Sequence, residues 1–176
     1  MLLNILIVGL ILANSAESAP RPSCVPTSQM REITKAWTDG SRFPGDEKPA
    51  GETESTRRPG WGHTVCGDVN GDDIEDLCTL LPQGSISWKA GCFISRKEGR
   101  YKFELMTDSR PPMGGTPLPA ESYDLILASK GETIEWANGA AGVRLRRDCV
   151  YLAQEEAAAQ LYCFTGAYFV SAQISD

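Results

Sequence analysis

The stretch CGDVNGDDIEDLC, residues 66–78, sets oxygen-bearing groups at every second position: Asp68, Asn70, Asp72, the backbone carbonyl of Ile74, and Asp76. Calcium takes six to eight oxygen ligands at about 2.3–2.6 Å in a flexible shell. A tight loop meets that demand with side-chain oxygens at its first, third and fifth positions, a backbone carbonyl at the seventh, and a further carboxylate. Gly71 gives the chain freedom to wrap, and the three ladder carboxylates more than balance a divalent charge. The same residue types also build metal-free Asx-turns and hairpins. Asp73 and Glu75 read as solvent-facing charges. An EF-hand places its closing Glu at the twelfth position, where Thr79 stands here, and it needs helical flanks. The flanks HTVC and DLCTLL are strand-like, so that class is disfavoured.

The ladder resembles the calcium loop of FG-GAP repeats, the integrin-type β-propeller unit, whose core reads G-D-x-N-G-D-G-x-x-D-L. Gly67, Asp68, Asn70, Gly71, Asp72, Asp76 and Leu77 match it, and Asp73 stands where a glycine is usual. The chain is also similar to small exported bacterial proteins with a single FG-GAP-like motif, the VCBS/FG-GAP-like family. Glu156, Ala158, Ala159, Leu161, Tyr162, Gly166, Phe169 and the terminal Ser175-Asp176 carry that likeness. The resemblance implies structural Ca2+ and a calcium-stiffened β-domain, with no biochemical role to carry over. One ladder and no clear internal repeat exclude a full propeller.

Cysteine usage points to the same compartment. All six cysteines (Cys24, Cys66, Cys78, Cys92, Cys149 and Cys163) follow an apolar N-terminal segment, MLLNILIVGLILANSAESAP, which reads as a signal peptide over residues 1–18. An even count in an exported chain predicts disulfides. No C-x-x-C occurs, so zinc-finger and thioredoxin-type readings have no support. Spacing leaves the pairing open: Cys66 with Cys78 as a staple of the ladder's stems, or Cys78 with Cys92 across a turn. Cys149 meets Cys163 on the same hairpin logic, leaving Cys24 to tie the N-terminal segment to the sheet. The expected location is secreted or periplasmic.

Other chemistries find little purchase. The formal net charge is −6, and no basic run exceeds a pair, which argues against nucleic acid or an anionic membrane as partner. No G-x-S-x-G, H-E-x-x-H, phosphate-binding loop or dinucleotide fingerprint occurs, and His63 is the only histidine. Trp61 and Trp136 lie in loop-like sequence, whereas Trp37 and Trp88 sit in periodic elements and read as core. The expectation is a non-catalytic exported module that binds an extracellular or periplasmic protein or glycan. The alternative is a small secreted hydrolase, or an inhibitor of a cell-wall hydrolase, with the 40–62 loop as a lid and Trp61, His63 and Asp68 nearby.

The elements that must position the ladder are mostly strands. Met30, Ile33 and Trp37 share one helical face, with Thr27 or Ser28 as the cap. Residues 19–62 therefore read as an N-terminal helix and a flexible loop, and residues 63–176 as a β-rich domain carrying the ladder. In that domain, short runs rich in β-branched and aromatic residues alternate with turn sequences such as NGDD and KEGR, and only QEEAAAQ at 154–160 suggests a helical turn. The predicted class is α+β, β-rich: one N-terminal helix packed on a mostly antiparallel sheet, stabilised by disulfides.

Overall fold

The computed structural model describes residues 25–37, 63–83, 87–109, 122–135, 142–154 and 159–174. The signal-peptide reading, Cys24, the 40–62 loop, Trp61 and Trp136 lie outside those residues. Helix α1 (Ser28–Trp37) starts where Thr27 accepts the Met30 amide through its hydroxyl at 3.2 Å, a side-chain cap. Its apolar stripe turns Met30 inward, with Ile33 packed alongside. Buried Thr34 satisfies its hydroxyl on the Met30 carbonyl at 2.8 Å.

Ten strands follow among the described residues: β1 (Thr64–Gly67), β2 (Asp76–Gln83), β3 (Ser87–Arg96), β4 (Arg100–Asp108), β5 (Tyr123–Ala128), β6 (Thr133–Ile134), β7 (Val143–Arg144), β8 (Cys149–Gln154), β9 (Ala159–Phe164) and β10 (Phe169–Ile174). They form two four-stranded antiparallel sheets, β1-β2-β3-β4 and β10-β9-β8-β5, and the small β6-β7 hairpin. The single expected sheet is thus two stacked ones, and the class is α+β, β-rich and disulfide-stabilised as read from sequence. Three apolar layers result. Cys78, Leu80, Cys92 and Ile94 meet Leu125, Val150, Leu152 and Phe164 between the sheets. Leu77, Leu81, Phe93 and Phe103 pack beneath α1 with Met30. Ala128, Cys149 and Leu161 pack beneath the hairpin's Ile134 and the adjoining Leu145. The segment VRLRRDCVYLA, which reads as one strand, is split: Val143-Arg144 pairs with β6, and β8 begins only at Cys149. Residues 155–158 of QEEAAAQ lie outside the described part, while Gln154 ends β8 and Ala159-Gln160 begin β9.

Disulfides join Cys78 to Cys92 and Cys149 to Cys163. The Cys66–Cys78 staple does not form, and strand parity is the reason. Cys66 sits opposite Leu77, while Cys78 sits opposite Val65. Successive side chains of a strand point to opposite faces. Cys66 therefore lies on the helix side, where it is itself disulfide-bonded, and Cys78 lies between the sheets opposite Cys92.

The two four-stranded meanders share one construction. Each carries its cystine between the second and third strands in sheet order, with a separation of 14 residues. The pattern Cys78-Thr-Leu-Leu-Pro-Gln83 with Cys92-Phe93 recurs as Cys149-Val-Tyr-Leu-Ala-Gln154 with Cys163-Phe164. The correspondence rests on a few identities and becomes visible only through the topology. The equivalent faces do not face one another. In the first meander the cystine looks toward the second sheet and Phe93 toward α1; in the second, Phe164 looks toward the first sheet and the cystine toward the hairpin.

Candidate functional site

The ladder is the connection between β1 and β2, and its geometry follows from one buried carboxylate. Asp76, fully buried at the start of β2, accepts the amides of Val69 (3.0 Å) and Asn70 (3.1 Å) on Oδ2, and that of Ser95 (2.7 Å) on Oδ1. It thereby ties the loop to the end of β3. Burial pushes its carboxyl above the ordinary value, and the three amides offset only part of that. Between the ordinary and the raised value the folded chain holds a proton that the unfolded chain releases. Asp76 therefore favours folding at the acid end of that window and loses the contribution as pH rises through it.

Asp68 organises the turn itself. Its Oδ1 accepts the amides of Gly71 (2.7 Å) and Asp72 (2.9 Å), and its Oδ2 accepts that of Asp73 (3.0 Å). Asn70 Oδ1 accepts the Asp72 amide at 2.8 Å, and Asp72 Oδ1 accepts the Ile74 amide at 3.0 Å. These are successive Asx-type links, each fixing the backbone two to five residues on. Asn70 Nδ2 donates to Asp72 Oδ2 at 3.0 Å and to Ser95 Oγ at 2.9 Å, and Ser95 Oγ in turn donates to Asp72 Oδ2 at 3.0 Å. At Asp72 slight burial acts to raise the carboxyl, but hydrogen bonds from Ile74, Asn70 and Ser95 together hold it below the ordinary value. That contribution is present above the unfolded value and fades as pH falls through the folded one.

The loop brings Asn70, Asp72 and Ser95 together, while Asp68 and Asp76 each turn to backbone amides. Ile74 is about half exposed (49%). Asp73 and Glu75 are exposed, as expected from sequence. His63 stands half-buried just before β1, where its carbonyl accepts the Leu80 amide at 2.9 Å. Among the described residues, no group of three or more His, Cys, Asp or Glu side chains gathers as a preformed metal cage. The donor chemistry nevertheless fits a hard cation, because every ladder group offers oxygen.

Asp73 has φ +62° and Gly71 φ +82°, so both occupy the left-handed region. The glycine usual at position 73 of the resembled loop thus has a conformational cause here. Asp73→Gly keeps the amide that bonds Asp68 and removes the Cβ. The change is expected to stabilise the protein by about 0.5–1 kcal/mol, read as a higher denaturant midpoint at unchanged slope. A lower midpoint would show that the aspartate side chain contributes more than the strain it carries.

Three residues of the site escape sequence reasoning. Ser95 is placed by the β2–β3 register, two residues past Phe93, which faces Leu77. Asp148 accepts the Asp68 amide on Oδ2 at 3.0 Å and the Lys130 amide on Oδ1 at 2.7 Å. Arg147 Nη1 donates to the carbonyls of Asn70 (3.2 Å) and Phe164 (3.1 Å). Both come from the second meander, about 80 residues downstream. The approach is close at Gly67, where a Cβ would stand 2.5 Å from Asp148 Oδ2 and 2.8 Å from Leu127 Cδ1. That glycine reads in the sequence only as part of the loop motif.

No family model, curated protein or solved structure matches this chain. The functional reading rests on the site.

Proposed function

We propose that this chain is an exported, non-catalytic β-domain whose 66–78 loop holds a structural calcium ion and whose surface serves as a binding module for an extracellular protein or glycan. The observation that carries the reading is the ladder's donor set on a rigid frame. Asp68, Asn70, Asp72, the Ile74 carbonyl and Asp76 all belong to one turn pinned at both ends by strands of the same sheet. Those residues would hold the ion, and its chemistry there would be charge neutralisation and loop stiffening. Half-buried Asp68 and exposed Asp72 carry negative charge at the loop, while Asp76 fixes the backbone on which they stand. Disulfides favour an oxidising compartment. No helix among the described residues is long and apolar enough to cross a membrane.

The test is a thermal melt in calcium and in chelator. A site with affinity in the range of about 10⁻⁴–10⁻³ M contributes roughly 1.4–2.7 kcal/mol at about 10 mM calcium. For a chain of this size that amounts to a rise of about 3–10 °C in Tm. Asp68→Ala and Asp72→Ala are each expected to abolish the rise. Superimposable melts of the parent protein in calcium and chelator would end the reading.

A further inference from the structure

The ladder loop belongs to the first meander by sequence, yet part of its support comes from the second. Arg147 spans the gap with one nitrogen shared between Asn70 O in the loop and Phe164 O at the end of β9. Asp148 adds a two-way link: its carboxylate accepts the Asp68 amide, and its own amide donates to the Asp68 carbonyl at 3.3 Å. The other carboxylate oxygen is anchored on Lys130 N, just past β5, so the bracket is braced within the second meander. Cys149 and Cys163 join β8 to β9 immediately beside Asp148 and Phe164, which ties the chain at Arg147 to its Phe164 acceptor. The amides of Gly71, Asp72 and Asp73 point at the Asp68 carboxylate, and the backbone of that same residue is what Asp148 holds.

We propose that Arg147 and Asp148 are positioning residues through which docking of the second meander sets the conformation of the ladder loop. Loop order and sheet-to-sheet docking are then one coupled equilibrium, and whatever stiffens the loop strengthens the docking by the same factor. Extending this to calcium rests on the reading above; the coupling itself does not.

The experiment is residue-resolved amide hydrogen exchange on the full chain in chelator. In Arg147→Ala and in Asp148→Ala, the amides of Gly71, Asp72 and Asp73 should exchange about tenfold faster, as loss of one well-made hydrogen bond allows, while amides across the β2–β3 pairing keep their parent rates. Arg147→Lys, which retains one donor for Asn70 O, should restore most of the protection; with Asp148→Asn it also serves if the alanine variants fold poorly. Unchanged loop exchange in the variants would overturn the proposal, and so would an equal acceleration of loop and β2–β3 amides. A calcium-insensitive parent protein would end the calcium reading and leave this result standing.

Discussion

Asp76→Ala is expected to destabilise the protein by about 3–5 kcal/mol, more than any other single substitution in the loop. The change strips the acceptor from three amides at once, those of Val69, Asn70 and Ser95, around a side chain with no exposed surface. A buried donor left unsatisfied costs about 1–3 kcal/mol, and some entry of water keeps the total below three times that. The loss should appear in chelator as a Tm lowered by roughly 10 °C. Asp76→Asn is the informative partner. Its amide carbonyl replaces one oxygen, but its NH₂ must face an amide donor, so it is expected to retain about half of the stability lost in the alanine variant. Because burial raises the Asp76 carboxyl, part of the stability of the parent protein is offset by keeping that group ionised at neutral pH. A melt of Asp76→Ala within about 2 °C of the parent would show that the loop is anchored elsewhere.

Opening the Cys78–Cys92 disulfide with paired alanines is expected to cost about 3 kcal/mol from chain entropy alone. Cys149–Cys163 closes a loop of the same length, since both separations are 14 residues, and the entropic share should be equal. The surroundings then separate the two. Cys78 and Cys92 are fully buried between the sheets, while Cys163 is only half-buried under the hairpin. Removing two buried sulfurs from the central layer adds a cavity cost of about 1 kcal/mol. The Cys78/Cys92 variant should therefore melt lower than the Cys149/Cys163 variant, as denaturant midpoints of the two double variants will show. The reverse order would mean that the hairpin layer, and not the central one, limits stability.

Much of the fold is legible in the sequence because strands and turns carry local signatures. The runs DLCTLL, YKFELMT and YDLILAS read as strands and coincide with β2, β4 and β5, the last ending one residue early at Ala128, and Thr27 marks the helix start by its own hydroxyl. The turn inside the ladder is local too, since the links among residues 68–76 span at most seven residues. Non-local partners are a different matter. Nothing near Ser95, Arg147 or Asp148 marks them as neighbours of the ladder, because sheet register and stacking bring them there. Parity also decides between the two pairings that spacing leaves open for Cys78: Cys66 and Cys78 are symmetric in sequence about Asp72, but the β1–β2 register sends them to opposite faces, and Cys78 meets Cys92. The correspondence between the meanders is hidden in the sequence because only a few positions share a residue type, while the connection between the first two strands is a ladder in one and holds a hairpin in the other.

The stacking of the two meanders has a consequence for assembly. Each presents a cystine face and a phenylalanine face, and the contact between them joins one kind to the other. Such a contact is heterologous, because it joins unlike faces of the two meanders. A third unit would have a surface to add to at either end. Helix α1 occupies one of those ends, over Phe93, and the β6-β7 hairpin occupies the other, over the Cys149–Cys163 cystine. Helix α1 and the hairpin thus cover the two outer faces, in the way that capping repeats finish a solenoid.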